Sequence, residues 1–245
     1  MPRLRALTAL GLIAGLSMPL GAQTVRPAVV EYHEQARGRF ELVNESLFPL
    51  TVVLDVRGFH VEPSGELIES PLDTSVVDVR LSAMSFRIPP RQTYVVSYEA
   101  RAKSYPAWFI ISSALTGART ASGLNVRVIL PHVVYMLQEE SLRANDVIVR
   151  ALEFDRPTQK VRLTLENTSD ALGRALSTTV SGDAGKPQEG GAFPLFPHSI
   201  RRVEIPWPHD VAPRQLLVEF ADFKLDRRRP VSAAWASALG APEQR

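Results

Sequence analysis

The chain has no cysteine among its 245 residues. That absence excludes a disulfide framework, a thiolate metal site and a lipoprotein anchor. An excess of either charge is missing too. The 28 lysines and arginines include Arg3 and Arg5, whereas none of the 26 acidic residues precedes Gln23, which leaves the remainder balanced at 26 against 26. A balanced chain has no general electrostatic affinity for nucleic acid, and Arg227-Arg228-Arg229 reads as a strand edge or solvated turn. The histidines His33, His60, His132, His198 and His209 do not fall at metal-ligand spacing. No Gly-x-Ser-x-Gly elbow occurs. His33-Glu34 opens a zinc-protease pattern, but Arg37 holds the second histidine position, and Gly182 to Lys186 lacks the glycine spacing and hydroxyl residue of a phosphate loop. No catalytic residue, metal or cofactor is expected. Amphipathic helix patterns are scarce, and past the first twenty residues no apolar run is long enough to span a bilayer.

What is present begins with a leader. Arg3 and Arg5 precede an apolar run from Ala6 to Leu20, and Gly21-Ala22 offers a small-residue cleavage site before Gln23. Residues 1–22 therefore read as a signal peptide, and the rest as an exported protein that is not membrane-embedded.

The rest repeats itself. Phe40, Leu42, Val43, Asn44, Glu45 and Ser46 make an alternating strand ending in an Asn-x-Ser turn, and Leu163, Leu165, Glu166, Asn167, Thr168 and Ser169 do the same. In the same order, Phe86, Ile88 and Pro90 are echoed by Phe193, Leu195 and Pro197. Proline lacks the N–H that a ladder needs and sits at strand ends, so strands that stop at proline and restart fit a β-sandwich. The pattern predicts an all-β chain of two tandem sandwiches: 23–137, a polar linker 138–146, then 147–238, with a tail 239–245. Strands are expected at Val25–Tyr32, Arg39–Asn44, Leu50–Val56, Val76–Ser82, Phe86–Ile88, Thr93–Ala100, Trp108–Ser113 and Leu124–Leu137. In the second half they are expected at Val147–Phe154, Lys160–Glu166, Arg201–Ile205, Gln215–Phe220 and Pro230–Trp235, with Gly182–Gly191 as a loop.

One strand stands out. Leu124, Val126, Val128 and Leu130 share a face, because side chains alternate along a strand. In one reading this face fills the sandwich's own core. In the other the strand lies at an edge and lends the row to a partner, while Ile129 on the opposite face points into the protein's own sandwich.

The order of these features resembles the periplasmic pilus chaperones of the PapD type. The similar parts are Phe40 to Ser46, and Phe86-Arg87-Ile88-Pro89-Pro90-Arg91-Gln92 leading into Thr93 to Tyr98. The apolar Trp108–Ser113 strand stands where the family's sixth strand does, and the long strand Leu124–Leu137 completes the match. Gln92 matches the family's glutamine, while Val95 stands near the arginine that opens its next strand. The resemblance implies two immunoglobulin-like sandwiches set at an angle around a cleft. It implies a periplasmic chaperone that adds its long strand to a pilus-type subunit lacking one, and delivers the subunit to an outer-membrane usher. Leu124, Val126, Val128 and Leu130 would be the subunit-binding row. The family anchors the subunit's terminal carboxylate with an arginine on the first strand and a lysine late on the donor strand. Ala28 and Val133 stand at those positions, which leaves Arg26, Arg127 and His132 as the nearest candidate anchors. The alternative is an exported structural or adhesive immunoglobulin-like protein without a client.

Overall fold

The computed structural model describes residues 23–119, 125–183 and 186–228. The leader, Leu124, the expected strand Pro230–Trp235 and the tail lie outside them. Within them the chain is strand and turn apart from a single 3-10 turn at Ala144–Asp146, and no helix is long and apolar enough to cross a membrane.

The first sandwich contains β1 (Thr24–Arg26), β2 (Val29–His33), β3 (Ala36–Val43), β4 (Leu50–Val61) and β5 (Leu67–Pro71). It continues with β6 (Val77–Leu81), β7 (Ser85–Ile88), β8 (Thr93–Ala102), β9 (Ala107–Arg119) and β10 (Asn125–Leu137). One sheet has the order β1-β3-β8-β6 and the other β2-β10-β9-β4-β5, with β7 beside the start of β4. Period-two alternation builds the core between them. Phe40 and Leu42 of β3, Val96 and Tyr98 of β8, and Leu50, Val52 and Leu54 of β4 are buried in one cluster.

The expected first strand Val25–Tyr32 is in fact two. β1 pairs antiparallel with β3 in one sheet, and β2 pairs parallel with the end of β10 in the other. Pro27 sits at the break, where it has no N–H to lose from either ladder.

The second sandwich contains β11 (Val147–Asp155), β12 (Lys160–Asn167), β13 (Gly173–Ser181), β14 (Gln188–Glu189), β15 (Phe193–Leu195), β16 (Ile200–Pro206), β17 (Gln215–Phe220) and β18 (Lys224–Arg228). Its sheets run β11-β12-β16 and β14-β13-β17-β18, with β15 against β13. Val161, Leu163 and Leu165 of one sheet share a buried core with Val218 and Phe220 of the other, and Trp207, just past β16, is buried in the same cluster. The Trp207 indole N–H donates to the Val211 carbonyl at 2.8 Å, so its one polar atom is satisfied.

The two repeated asparagines do the same work in both halves. The Asn44 amide N–H₂ reaches the carbonyls of Phe48 (2.8 Å), Ile88 (3.1 Å) and Pro89 (3.0 Å), and its Oδ1 accepts from the Ser46 N–H and hydroxyl. The Asn167 amide reaches Ala171 (2.6 Å), Leu195 (3.4 Å) and Phe196 (3.0 Å), and its Oδ1 accepts from the Ser169 N–H and hydroxyl. Both side chains are fully buried. Each closes a corner by satisfying main-chain groups that no ladder serves.

A third apolar cluster joins the halves. Phe196, which follows β15, packs edge-on against Phe59, Trp108 and Tyr135 of the first sandwich, with ring centroids 6.0, 4.8 and 6.1 Å away. The Arg174 guanidinium pairs with Glu31 at 2.7 Å, and the Arg202 N–H donates to the Pro63 carbonyl at 2.7 Å. The segment 138–146, expected to be a polar linker, is tied to the second sandwich at two points. The Gln138 amide exchanges two hydrogen bonds with the Leu172 main chain, and Leu142 is buried in the second core.

Candidate functional site

β10 is paired on one side along its whole length and on the other side only in part. Its partner β9 runs beside it from Asn125 to Met136. β2 covers the opposite edge from Val133 to Leu137. Among the described residues no strand pairs with that edge from Val126 to His132. Its main-chain donors and acceptors are therefore open to another strand, which is how sheet edges recruit partners. Pro131 lies in this stretch, as expected for a residue that ladders tolerate at an edge.

The two faces of this stretch differ from the expectation. Val126, Val128 and Leu130 are half-buried, and Val128 and Leu130 rest against the first core. Ile129 is 56 % exposed. The row that the partner-binding reading turns outward thus leans on its own sandwich, and Ile129, which that reading points inward, faces out. The reason is register: Ile129 lies opposite Ala114, which itself lies opposite exposed Val53 on the outer face of the sheet. A shift in the ladder between Val126 and Val128 marks a bulge on β9, where Thr116 and the left-handed Gly117 together lie opposite Arg127. The even-numbered row remains half-exposed at the open end of the sandwich, with apolar area left to cover.

The three candidate anchor cations separate. Arg26 is exposed at the end of β1, opposite Glu41, and Arg127 is exposed across from the bulge in β9. His132 is fully buried, so it cannot meet a partner's carboxylate. Its Nδ1 lies 2.7 Å from the Pro27 carbonyl and its Nε2 3.1 Å from the Tyr98 hydroxyl. Burial holds the imidazole below its ordinary value, the Pro27 carbonyl opposing this in part. Ala28 and Val133, by contrast, do come together: the Val133 N–H donates to the Ala28 carbonyl at 2.8 Å. Neither carries a charge. Burial also pushes the nearby Tyr135 hydroxyl up to about 12, leaving it neutral at physiological pH. Local pattern gave no sign of the residues around His132, namely Tyr32, Tyr98 and Gly38, because each sits on a different strand.

Among the described residues no cluster of acidic or histidine side chains could hold a metal ion. What the arrangement can do is bind along a strand edge.

No family model matches this sequence, and no curated protein is similar to it by sequence. Solved structures are similar in fold. The YadV chaperone shares 12 % identity at a TM-score of 0.50, over 84 % of this chain and 99 % of that one. A chain from the complex of the SafA pilin with the SafB chaperone, from Salmonella enterica, shares 13 % identity at a TM-score of 0.53, over 87 % and 99 %. The likeness extends over both sandwiches, and the fold is that of two tandem immunoglobulin-like domains, as in fimbrial chaperones.

Proposed function

We propose that this protein is a periplasmic chaperone that binds incomplete pilus-type subunits by strand addition and delivers them to an outer-membrane usher. The observation that carries the reading is the open edge of β10 from Val126 to His132, flanked by a half-exposed apolar row. It occurs on a fold like that of YadV, and of a chain in the SafA–SafB complex. Main-chain hydrogen bonds along the edge would supply affinity for any subunit with a missing strand. Val126, Val128 and Leu130, together with Leu124 beyond the described residues, would enter the subunit's open core. The leader 1–22 would export the chain, and the sandwiches would be the units 23–137 and 147–238. No bond is made or broken.

Carboxylate anchoring takes a different form here or none. The paired positions Ala28 and Val133 are uncharged, and His132 is enclosed. The reading without a client draws on one observation, the contact of Val128 and Leu130 with their own core.

Val126 separates the two readings, because it is half-exposed on the row and is not part of the packing around the first core. Val126→Ser is expected to leave the melting temperature within about 2 °C and to weaken capture roughly fivefold, since the valine side chain would bury apolar area worth about 1 kcal/mol against a subunit. Ile129→Ser, on the opposite face, should leave the melting temperature within about 2 °C and capture within about threefold of wild type. The measurement is co-purification with pilus-type subunits encoded beside the chain's own gene. A wild-type chain that captures none of them overturns the reading, as does a Val126→Ser variant that captures as well as wild type.

A further inference from the structure

His132 stands at the rung where β10 stops being an open edge. From Val133 onward the main chain is paired with β2, beginning with the Val133 N–H bond to the Ala28 carbonyl. One residue earlier a side chain takes over. A carbonyl oxygen can only accept, so the contact with Pro27 puts the proton on Nδ1. Nε2 is then free to accept from the Tyr98 hydroxyl, whose oxygen lies 3.0 Å from the Tyr32 hydroxyl. The imidazole stacks on Phe40 with centroids 4.7 Å apart. The titratable groups facing it are Tyr98 on β8, which burial holds protonated, and, beyond it, Tyr32 on β2, and no ion pair among the described residues involves it. β3 makes room with Gly38, where a Cβ would lie 2.0 Å from the Tyr32 hydroxyl and 2.7 Å from that of Tyr98.

Pro27 is also where the first strand leaves one sheet for the other. We propose that His132 is a positioning residue: its neutral imidazole clamps this crossover to β10, which sets the lower limit of the open edge, and its protonation releases β2. A protonated ring would turn Nε2 into a donor. Tyr98 can rotate its hydroxyl to accept, but the charge would stay buried beside Phe40 and Tyr98 with no carboxylate against it. Because burial depresses the folded-state value, the folded state resists a proton that the unfolded chain takes up near pH 6.5. Stability at the clamp is therefore complete above that pH and falls as pH drops through the window below it.

Hydrogen exchange on the full chain tests this without any partner. Amides of 29–33 and 133–137 are followed between pH 7.5 and 5.0, corrected for intrinsic rates and compared with amides of β12. In the wild type their protection is expected to fall at least tenfold more than that of β12 at the lower pH. His132→Asn can keep an N–H on the Pro27 carbonyl but cannot charge, and should hold its protection across the range. His132→Phe should lose tenfold at both pH values. Tyr98→Phe removes the partner of Nε2 in both protonation states, and because the bond to the charged ring is the stronger, it should move the wild-type loss to lower pH, a check that survives if a His132 variant fails to fold. A flat wild-type profile overturns the proposal. So does a wild-type pH response in His132→Asn, or wild-type protection in His132→Phe.

Discussion

Serine at Val126, Val128 and Leu130 together is expected to abolish subunit capture while leaving the first sandwich folded. Each side chain is largely covered before binding, so up to about 1 kcal/mol of apolar burial per residue remains for a partner. Losing all three removes up to roughly two powers of ten in affinity, and serine hydroxyls entering an apolar groove add to the loss. The fold is affected too, since Val128 and Leu130 touch the core. About 1 kcal/mol for each lowers the melting temperature by about 5–15 °C without unfolding the sandwich. Melting and co-purification measured on one preparation check both. Undiminished capture by this variant would end the strand-addition reading. Complete unfolding would show that the row belongs to the core.

Asn44→Ala should cost the first sandwich about 3–5 kcal/mol, and Asn167→Ala the second a similar amount. Each asparagine makes five hydrogen bonds at a buried corner. Removing one strands several main-chain groups away from water, at about 1–3 kcal/mol for each that finds no other partner. Urea unfolding followed by exchange in each half should show one sandwich weakened at a time, up to the coupling carried by Phe196. A loss below about 1 kcal/mol in either variant would contradict the role assigned to these corners.

The corners were readable because the chain writes them locally. An alternating strand and its Asn-x-Ser turn lie within a few residues of each other, a strand stopping at proline follows further on, and the three recur in order. β13 was missed, because Ser177, Thr178 and Thr179 hide its alternation, although Thr178 is fully buried. The break at Pro27 was missed for a different reason. Which sheet each piece joins is decided by β3 and β10, and no short window contains both. The same limit governs the binding row. Alternation separates Val126, Val128 and Leu130 from Ile129, but which side faces the core depends on strands brought alongside by folding. His132 was legible as a cation near the right strand and illegible as an enclosed one, since Pro27, Tyr98 and Phe40 come from three other places in the chain.

The parallel pairing of Val29–His33 with Val133–Leu137 also has a temporal side. A chain made from its N-terminus carries β2 without a partner until roughly a hundred further residues exist, and contacts of such separation are the slow ones in folding. β1 has a partner in β3 almost at once. A growing chain can thus hold one end of its opening segment in place while the other waits. The strand that later defines where the open edge ends is among the last pieces of its sandwich to be seated.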